Sequence, residues 1–197
     1  VDLRHLRFDY QFEISESFIM IQVMLDLETF GTRPTSAIVS IGAVKFTVAD
    51  GIIDKFKVNL DPRDAKSYGM TYDKDTLEWW ATQSKDARSG WSKDSVDYLT
   101  GIKTFLSWYG DEEIPTWSKG KIFDFPMLEH SIKTLNLPVP WKYSKVNDYR
   151  TLINAFKIND FKLKQKGSIT HDSLVDCIEQ TKVLIPILSA LEEFEGV

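Results

Sequence analysis

The sequence has little cysteine: Cys177 stands alone among 197 residues. A single thiol excludes an intramolecular disulfide and a zinc site built from several cysteines, and it favours a reducing compartment. Apolar runs are also short, since none approaches the roughly 18 residues that a membrane-spanning helix needs. The first residues lack the basic, apolar and small-residue order of a secretory signal. Together these features predict a cytoplasmic protein that does not enter a membrane.

Basic residues are in deficit, with 24 Lys and Arg against 29 Asp and Glu and a net charge of −5. This balance argues against a protein that coats nucleic acid through bulk charge, but it allows an enzyme that binds nucleic acid through metal ions and a local basic patch. Hydrophobic residues make up 43% and charged residues 27%, as in globular domains. We expect one domain over residues 20–197, preceded by an extension over residues 1–19 that shows no clean hydrophobic period.

Three largely apolar segments near the start of this domain have the composition of β-strands. Residues 19–25 form a run that ends at Asp26 and is typical of a buried strand. Residues 37–46 and 52–60 predict two more strands. The Asp50-Gly51 pair between them is a turn signal for an antiparallel hairpin.

The rest of the chain alternates helical patterns with short strands. Helices are predicted over residues 73–86, from an N-cap at Asp94 to Tyr109, from about Asp124 to Leu135, over 149–156 and over 172–193, and short strands around 114–117 and 146–148. Three strands followed by helices that alternate with two further strands predict an α/β domain with a mixed sheet flanked by helices.

Two carboxylates follow the first predicted strand. Asp26 and Glu28 are two residues apart, so in a strand both project from the same face. Adjacent carboxylates repel each other unless a cation lies between them, and hard oxygen ligands suit Mg²⁺ or Mn²⁺. The alternative is a strand that simply leaves the core through polar residues.

Further polar residues follow much later in the chain. Asp124 lies at a predicted strand-to-helix junction, where an aspartate is also an ordinary N-cap. Asp176 lies in the first turns of the last helix, and Asp172 shares its helical face four residues earlier. His171 and Asp176 converge only if His171 lies on the loop that enters this helix, because on a regular helix they would be about 140° apart.

The order and spacing of these residues resemble a known family. The segments MLDLETFGTRPTSAIVSIGAVKF, LEWWATQS, FDFPMLE, DYRTL and HDSLVDC are similar to those of the DEDDh 3′–5′ exonucleases of the ribonuclease H-like superfamily. The closer resemblance is to phage exonuclease A and its bacterial exoribonuclease relatives. It implies a five-stranded sheet made of a three-strand antiparallel meander plus two parallel strands. It also implies a general base, His171, and four metal-binding acids: Asp26, Glu28, Asp124 and Asp176.

This resemblance implies a reaction as well. Two divalent ions, Mg²⁺ or Mn²⁺, would bind the four acids and assist hydrolysis of a phosphodiester, while a histidine accepts the proton of the attacking water. The expected partner is the 3′ end of a single-stranded nucleic acid, RNA or DNA, and the expected products are nucleoside 5′-monophosphates. Related exonucleases often pair, so a homodimer is a candidate state. The alternative function is a catalytically inactive domain of this fold that binds nucleic acid or protein.

Residues close to the first acids are expected to contact the terminal nucleotide: Leu27, Thr29 and Phe30. For Phe30, packing in the core is an equal alternative. Of the adjacent pair Trp79 and Trp80, one is expected in the core and one near the last base, and Trp80 is the predicted substrate contact. Candidate phosphate contacts are the lysines at 119, 121, 162, 164 and 166.

Overall fold

The chain folds around one five-stranded sheet. The structure, a computed structural model, describes residues 20–110, 113–159 and 171–195, so the extension at 1–19 and the lysines at 162, 164 and 166 lie outside the described residues. The order across the sheet is β3-β2-β1-β4-β5. The strands are β1 (Gln22–Thr29), β2 (Ile38–Thr47), β3 (Gly51–Asn59), β4 (Thr116–Ser118) and β5 (Val146–Asp148).

The pairing confirms the predicted mixed sheet. β1, β2 and β3 form an antiparallel meander, while β4 pairs with β1 and β5 pairs with β4 in parallel. The Asp50-Gly51 turn joins β2 to β3, and Gly51 has a φ of 77°, which glycine adopts without strain. β1 is therefore a central strand with hydrogen-bonded neighbours on both sides.

β1 differs from its predicted limits. It begins at Gln22 rather than residue 19 and continues through Asp26 and Glu28 to Thr29. Asp26 pairs with Gly42 on β2, so the two acids lie within the ladder and not beyond its end. The prediction follows the apolar run alone. In the sheet, backbone hydrogen bonds to neighbours on both sides extend β1 beyond that run.

Within the described ranges, seven α-helices flank the sheet: α1 (Pro62–Ser67), α2 (Lys74–Thr82), α3 (Lys85–Ser92), α4 (Tyr98–Tyr109), α5 (Lys121–Thr134), α6 (Tyr149–Ala155) and α7 (Ser173–Glu195). The region predicted as one helix over 73–86 contains α2, and Ser84 caps a separate α3. The predicted N-cap at Asp94 is wrong, because Asp97 accepts the capping hydrogen bond from the Thr100 amide at 2.9 Å. None of these helices combines the length and apolar character that a bilayer span requires.

The sheet separates two apolar layers. Val23 and Leu25 of β1 belong to the larger layer, which α1 to α5 cover, whereas Met24 belongs to the smaller one, under α6 and α7. Because side chains alternate along a strand, Asp26 and Glu28 share the face of Met24. They therefore face α7, which crosses β1, β2 and β3.

Candidate active site

Three acids meet where β1 passes the start of α7. Asp26 and Glu28 come from β1, and Asp176 comes from the first turn of α7. One carboxylate oxygen from each lies within 4.8 Å of the other two. Glu28 is buried and the other two are half-buried, so negative charge gathers where there is little water. Such a set of hard oxygen donors suits a divalent cation.

Asp124 adds a fourth carboxylate to the cleft that Asp26 and Asp176 line. Its helix, α5, begins at Lys121, earlier than predicted, after Gly120 with a φ of 120°. Asp124 consequently lies inside the first turn and does not cap the helix. It is 3% exposed, the lowest exposure of the four residues.

Burial and mutual repulsion disfavour the charged forms of these acids. Burial, and then the charges of Asp124, Glu28 and Asp176, raise the pKa of Asp26 well above its usual range. Burial and the charges of Asp176 and Asp172 raise the pKa of Glu28 to about 8, and burial raises the pKa of Asp124 to about 7. A cation between the carboxylates would relieve this repulsion, so the donor set fits a divalent metal ion.

His171 enters the same cleft from the loop that precedes α7. The cleft has a volume of about 630 Å³, and His171 lines it together with Asp26, Asp124 and Asp176. His171 has a φ of 62° and lies outside the helix, which begins two residues later. This loop position is the one that convergence with Asp176 requires. The imidazole packs edge-on against Trp79, with ring centroids 4.8 Å apart.

A second groove, of about 400 Å³, adjoins the acids along α2, and it is lined by the three residues Leu27, Thr29 and Trp80, whose contact with substrate is a prediction. Trp80 is 3% exposed, and its indole Nε1 donates a hydrogen bond to the Thr29 carbonyl at 2.9 Å, so much of this ring is structural. Trp79 also lines the groove and is 42% exposed. The open indole is therefore Trp79, which sequence reasoning did not choose because it could not fix the rotation of α2.

Phe30 is not among the described residues that line these two clefts. Its ring is buried and packs edge-on against Tyr72 and Trp91, at centroid distances of 5.6 and 5.0 Å. The core-packing alternative describes this position. Phe123 lines both clefts instead, and nothing in the sequence pattern distinguished it from other apolar residues.

Basic side chains lie at the rim of the acidic cleft. Lys119 and Arg150 line it, and Arg150 Nη2 donates a hydrogen bond to the Lys119 carbonyl at 3.1 Å. Asp148 accepts hydrogen bonds from the backbone amides of Gly120 and Lys121 at 3.0 and 3.2 Å. Asp148 therefore fixes the turn that carries this rim.

Gln180 is a site residue that sequence reasoning missed. It lies one turn after Asp176 on α7, is 5% exposed, and its Nε2 donates a hydrogen bond to Asp26 Oδ1 at 3.4 Å. This hydrogen bond lowers the pKa of Asp26, partly opposing the effect of burial. A glutamine on a helix face carries no signal of such a contact, so the structure was needed to find it.

A mixed α/β sheet with carboxylates gathered on its central strand is the architecture of DEDDh 3′–5′ exonucleases, the class that the resemblance predicted. Comparison with protein families supports that class directly. The chain belongs to the family described as the 3′-5′ exoribonuclease Rv2179c-like domain, whose model matches residues 21–188. It is 26% identical over 194 residues to a protein named exodeoxyribonuclease from Enterobacteria phage T4, a match that covers 80% of this chain and 85% of the relative.

Solved structures share the fold. E. coli exonuclease I in complex with a dT13 oligonucleotide matches with a TM-score of 0.67 and 12% identity, over 90% of this chain and 43% of that one. The nuclease domain of 3′hExo, a DEDDh family member bound to rAMP, matches with a TM-score of 0.62 and 12% identity, over 89% of this chain and 94% of that one. This chain thus spans less than half of exonuclease I. These likenesses confirm the predicted ribonuclease H-like fold.

Proposed function

We propose that this protein is a metal-dependent exonuclease that shortens single-stranded RNA or DNA from its 3′ end and releases nucleoside 5′-monophosphates. The observation that carries the proposal is the convergence of Asp26, Asp124, Asp176 and His171 around one cleft, with Glu28 clustered beside Asp26 and Asp176. Membership of a family described by 3′–5′ exoribonuclease activity supports the direction of cleavage.

The four carboxylates would hold two divalent ions, Mg²⁺ or Mn²⁺. Asp26 would be one of the residues that hold them, since the charges of Asp124, Glu28 and Asp176 all act on it. When bound, such ions neutralise the phosphodiester and stabilise the attacking and leaving oxygens. Without them, the uncompensated negative charge of the cleft would repel an anionic substrate.

His171 is the proton acceptor in this proposal. A water oxygen bonds to phosphorus while the bond from phosphorus to the 3′ oxygen of the preceding nucleotide breaks. The water proton moves to an imidazole nitrogen of His171, and the departing 3′ oxygen takes a proton from solvent. Histidine is the side chain that most often acts as a general base in enzymes.

The groove along α2 would take the terminal nucleotide. Trp79 offers an exposed indole for base stacking, and Leu27 and Thr29 line the same groove. Lys119 and Arg150 would contact phosphates further along the strand. The dT13 oligonucleotide bound in exonuclease I supports a single-stranded substrate. The family description points to RNA and the phage relative's name to DNA, so both belong in the test.

The family model matches residues 21–188, which supports our prediction of one catalytic domain over residues 20–197; that residues 1–19 are an extension remains a prediction. We place its action in the cytoplasm, where its single buried cysteine would stay reduced.

The homodimer is a further prediction. Sedimentation of the full chain at several concentrations would measure it.

A gel time course tests the proposal. Equal-sequence RNA and DNA oligonucleotides, labelled at the 5′ end, would be incubated with the full chain in Mg²⁺, in Mn²⁺ and in EDTA. The catalytic control is Asp26→Asn. The matched control is Asp54→Asn on β3, because an asparagine there can still accept the hydrogen bond from Trp108 Nε1.

We expect a ladder that shortens from the 3′ end with metal and is absent with EDTA and in Asp26→Asn. The RNA and DNA rates would give the sugar preference. Intact substrates under every metal condition would overturn the proposal. Binding of the same oligonucleotides without cleavage would then favour the inactive binding domain.

A further inference from the structure

His171 and Asp172 are neighbours in the chain but face different clefts. His171 lines the acidic cleft, whereas Asp172 lines a separate one of about 560 Å³ together with Lys57, Asn59 and other residues. His171 also has a φ of 62°, in the left-handed region that residues with a side chain rarely adopt. A backbone held there needs neighbours that fix it.

Asp172 uses both of its carboxylate oxygens. Oδ1 accepts hydrogen bonds from the backbone amides of Leu174 and Val175 at 3.1 and 3.2 Å, which caps the start of α7. Oδ2 accepts a hydrogen bond from Lys57 Nζ at 2.6 Å. The two side chains of this ion pair are 23% and 13% exposed. Because the ion pair is partly buried, water and salt screen it less than they would screen an exposed pair. The pair can therefore hold a fixed geometry.

The start of α7 is also seated on the sheet beside Lys57. Lys57 on β3 pairs with Gly42 on β2, and a Cβ atom at Gly42 would lie 2.2 Å from the backbone carbon of Ser173. The hydroxyls of Ser173 and Ser40 are hydrogen-bonded at 2.8 Å, and both residues are buried. Backbone contact, a buried hydroxyl pair and an ion pair therefore fix the residues that directly follow His171.

We propose that Lys57 is a positioning residue for His171: by pairing with Asp172 it fixes the loop from which the imidazole enters the acidic cleft. The inference rests on the proposed role of His171 in the exonuclease reaction. Lys57 also neutralises a carboxylate that would otherwise lie unpaired beside the site of an anionic substrate. It touches neither the substrate groove nor the acidic cleft among the described residues.

A second route from Lys57 to the reaction must be separated from this one. The charge of Lys57 acts on Glu28 and partly opposes the burial that raises the pKa of that carboxyl. A loss of Lys57 could therefore act through the acids instead of through His171. The two routes differ in whether the effect of Lys57 requires the imidazole, which a double-mutant cycle measures.

The experiment compares Lys57→Met, Lys57→Arg and Lys55→Met in the full chain, each in the wild-type and the His171→Ala background. Lys55 is the matched control because it lies two residues earlier on the same face of β3 and is exposed. Rates on a 5′-labelled oligonucleotide give kcat and KM. Hydrogen exchange of residues 171–178 reports the anchoring of α7.

We expect Lys57→Met to lower kcat by about 10- to 100-fold with little change in KM, Lys57→Arg to restore most of it, and Lys55→Met to match wild type. Lys57→Met should add nothing in the His171→Ala background, and it should speed amide exchange at Leu174 and Val175. An equal loss in both backgrounds, or unchanged exchange, would overturn the positioning role and leave the proposed function intact. A wild-type rate in His171→Ala alone would instead overturn the proposed base.

Discussion

The carboxylate of Glu28 lowers the stability of the metal-free fold. It is 8% exposed, and burial together with the charges of Asp176 and Asp172 raises its pKa from 4.5 to about 8. Between these two values the folded state binds more protons than the unfolded state. Stability therefore falls as the pH rises through this window, and the loss is complete above the folded-state pKa.

The magnitude follows from the width of that window. From pH 4.5 to pH 7 the Glu28 carboxyl ionises in the unfolded state while the folded state keeps it mostly protonated, which removes about 3 kcal/mol of folding stability, at about 1.4 kcal/mol per pH unit. Glu28→Gln keeps the shape of the side chain and removes its charge. In EDTA at pH 7 the variant should be more stable than wild type by about 2–3 kcal/mol, which raises Tm by about 5–10 °C. Loss of cleavage should accompany this gain.

Thermal unfolding followed by circular dichroism, in EDTA at several pH values, measures the effect. The difference between Glu28→Gln and wild type should grow from near zero at acidic pH to about 2–3 kcal/mol at pH 7. The control is Glu78→Gln, whose carboxylate is 65% exposed and paired with Lys74, and whose effect should stay within about 0.5 kcal/mol. Added Mn²⁺ should raise the Tm of wild type more than that of Glu28→Gln. A Glu28→Gln variant no more stable than wild type at neutral pH would refute the reasoning.

Three further predictions test other parts of the site. Gly42→Ala should destabilise the protein by about 1–3 kcal/mol in urea unfolding, because the alanine methyl group would clash with the backbone of Ser173. An unchanged unfolding midpoint would contradict this close approach. The second prediction is measured by fluorescence anisotropy in an inactive Asp26→Asn background. Trp79→Ala should weaken binding of a single-stranded oligonucleotide about 5- to 100-fold, while Trp79→Phe should bind nearly normally. Equal losses of affinity in both variants would argue against base stacking on Trp79. In the same assay, Arg150→Ala should reduce the slope of log Kd against log salt concentration by about one, and Arg150→Lys should preserve that slope. Identical slopes in the parent protein and both variants would show that Arg150 does not contact a phosphate.

The sequence predicts the sheet well because its signals are local. A long apolar run, two further strand segments and an Asp-Gly turn define the meander, and the confirmed pairing follows from them. The short helices α1 and α3 were not predicted, since segments of six and eight residues hold too few turns to show a hydrophobic period.

The site also has a part that the sequence predicts and a part that it does not. The acids could be assembled from the sequence because their types, order and spacing resemble a family pattern. The exposure of Trp79, the burial of Phe30 and the contact of Gln180 with Asp26 depend on helix rotation and tertiary packing. The ion pair of Lys57 with Asp172 joins residues 115 positions apart, and no local pattern in either segment indicates the other.

The distribution of the four acids along the chain has a consequence for synthesis. Asp26 and Glu28 lie near the start of the domain, Asp124 follows in its second half, and Asp176 comes near its end. α7, which carries the last of them, also crosses the first three strands. A nascent chain therefore cannot assemble the full set until α7 has left the ribosome.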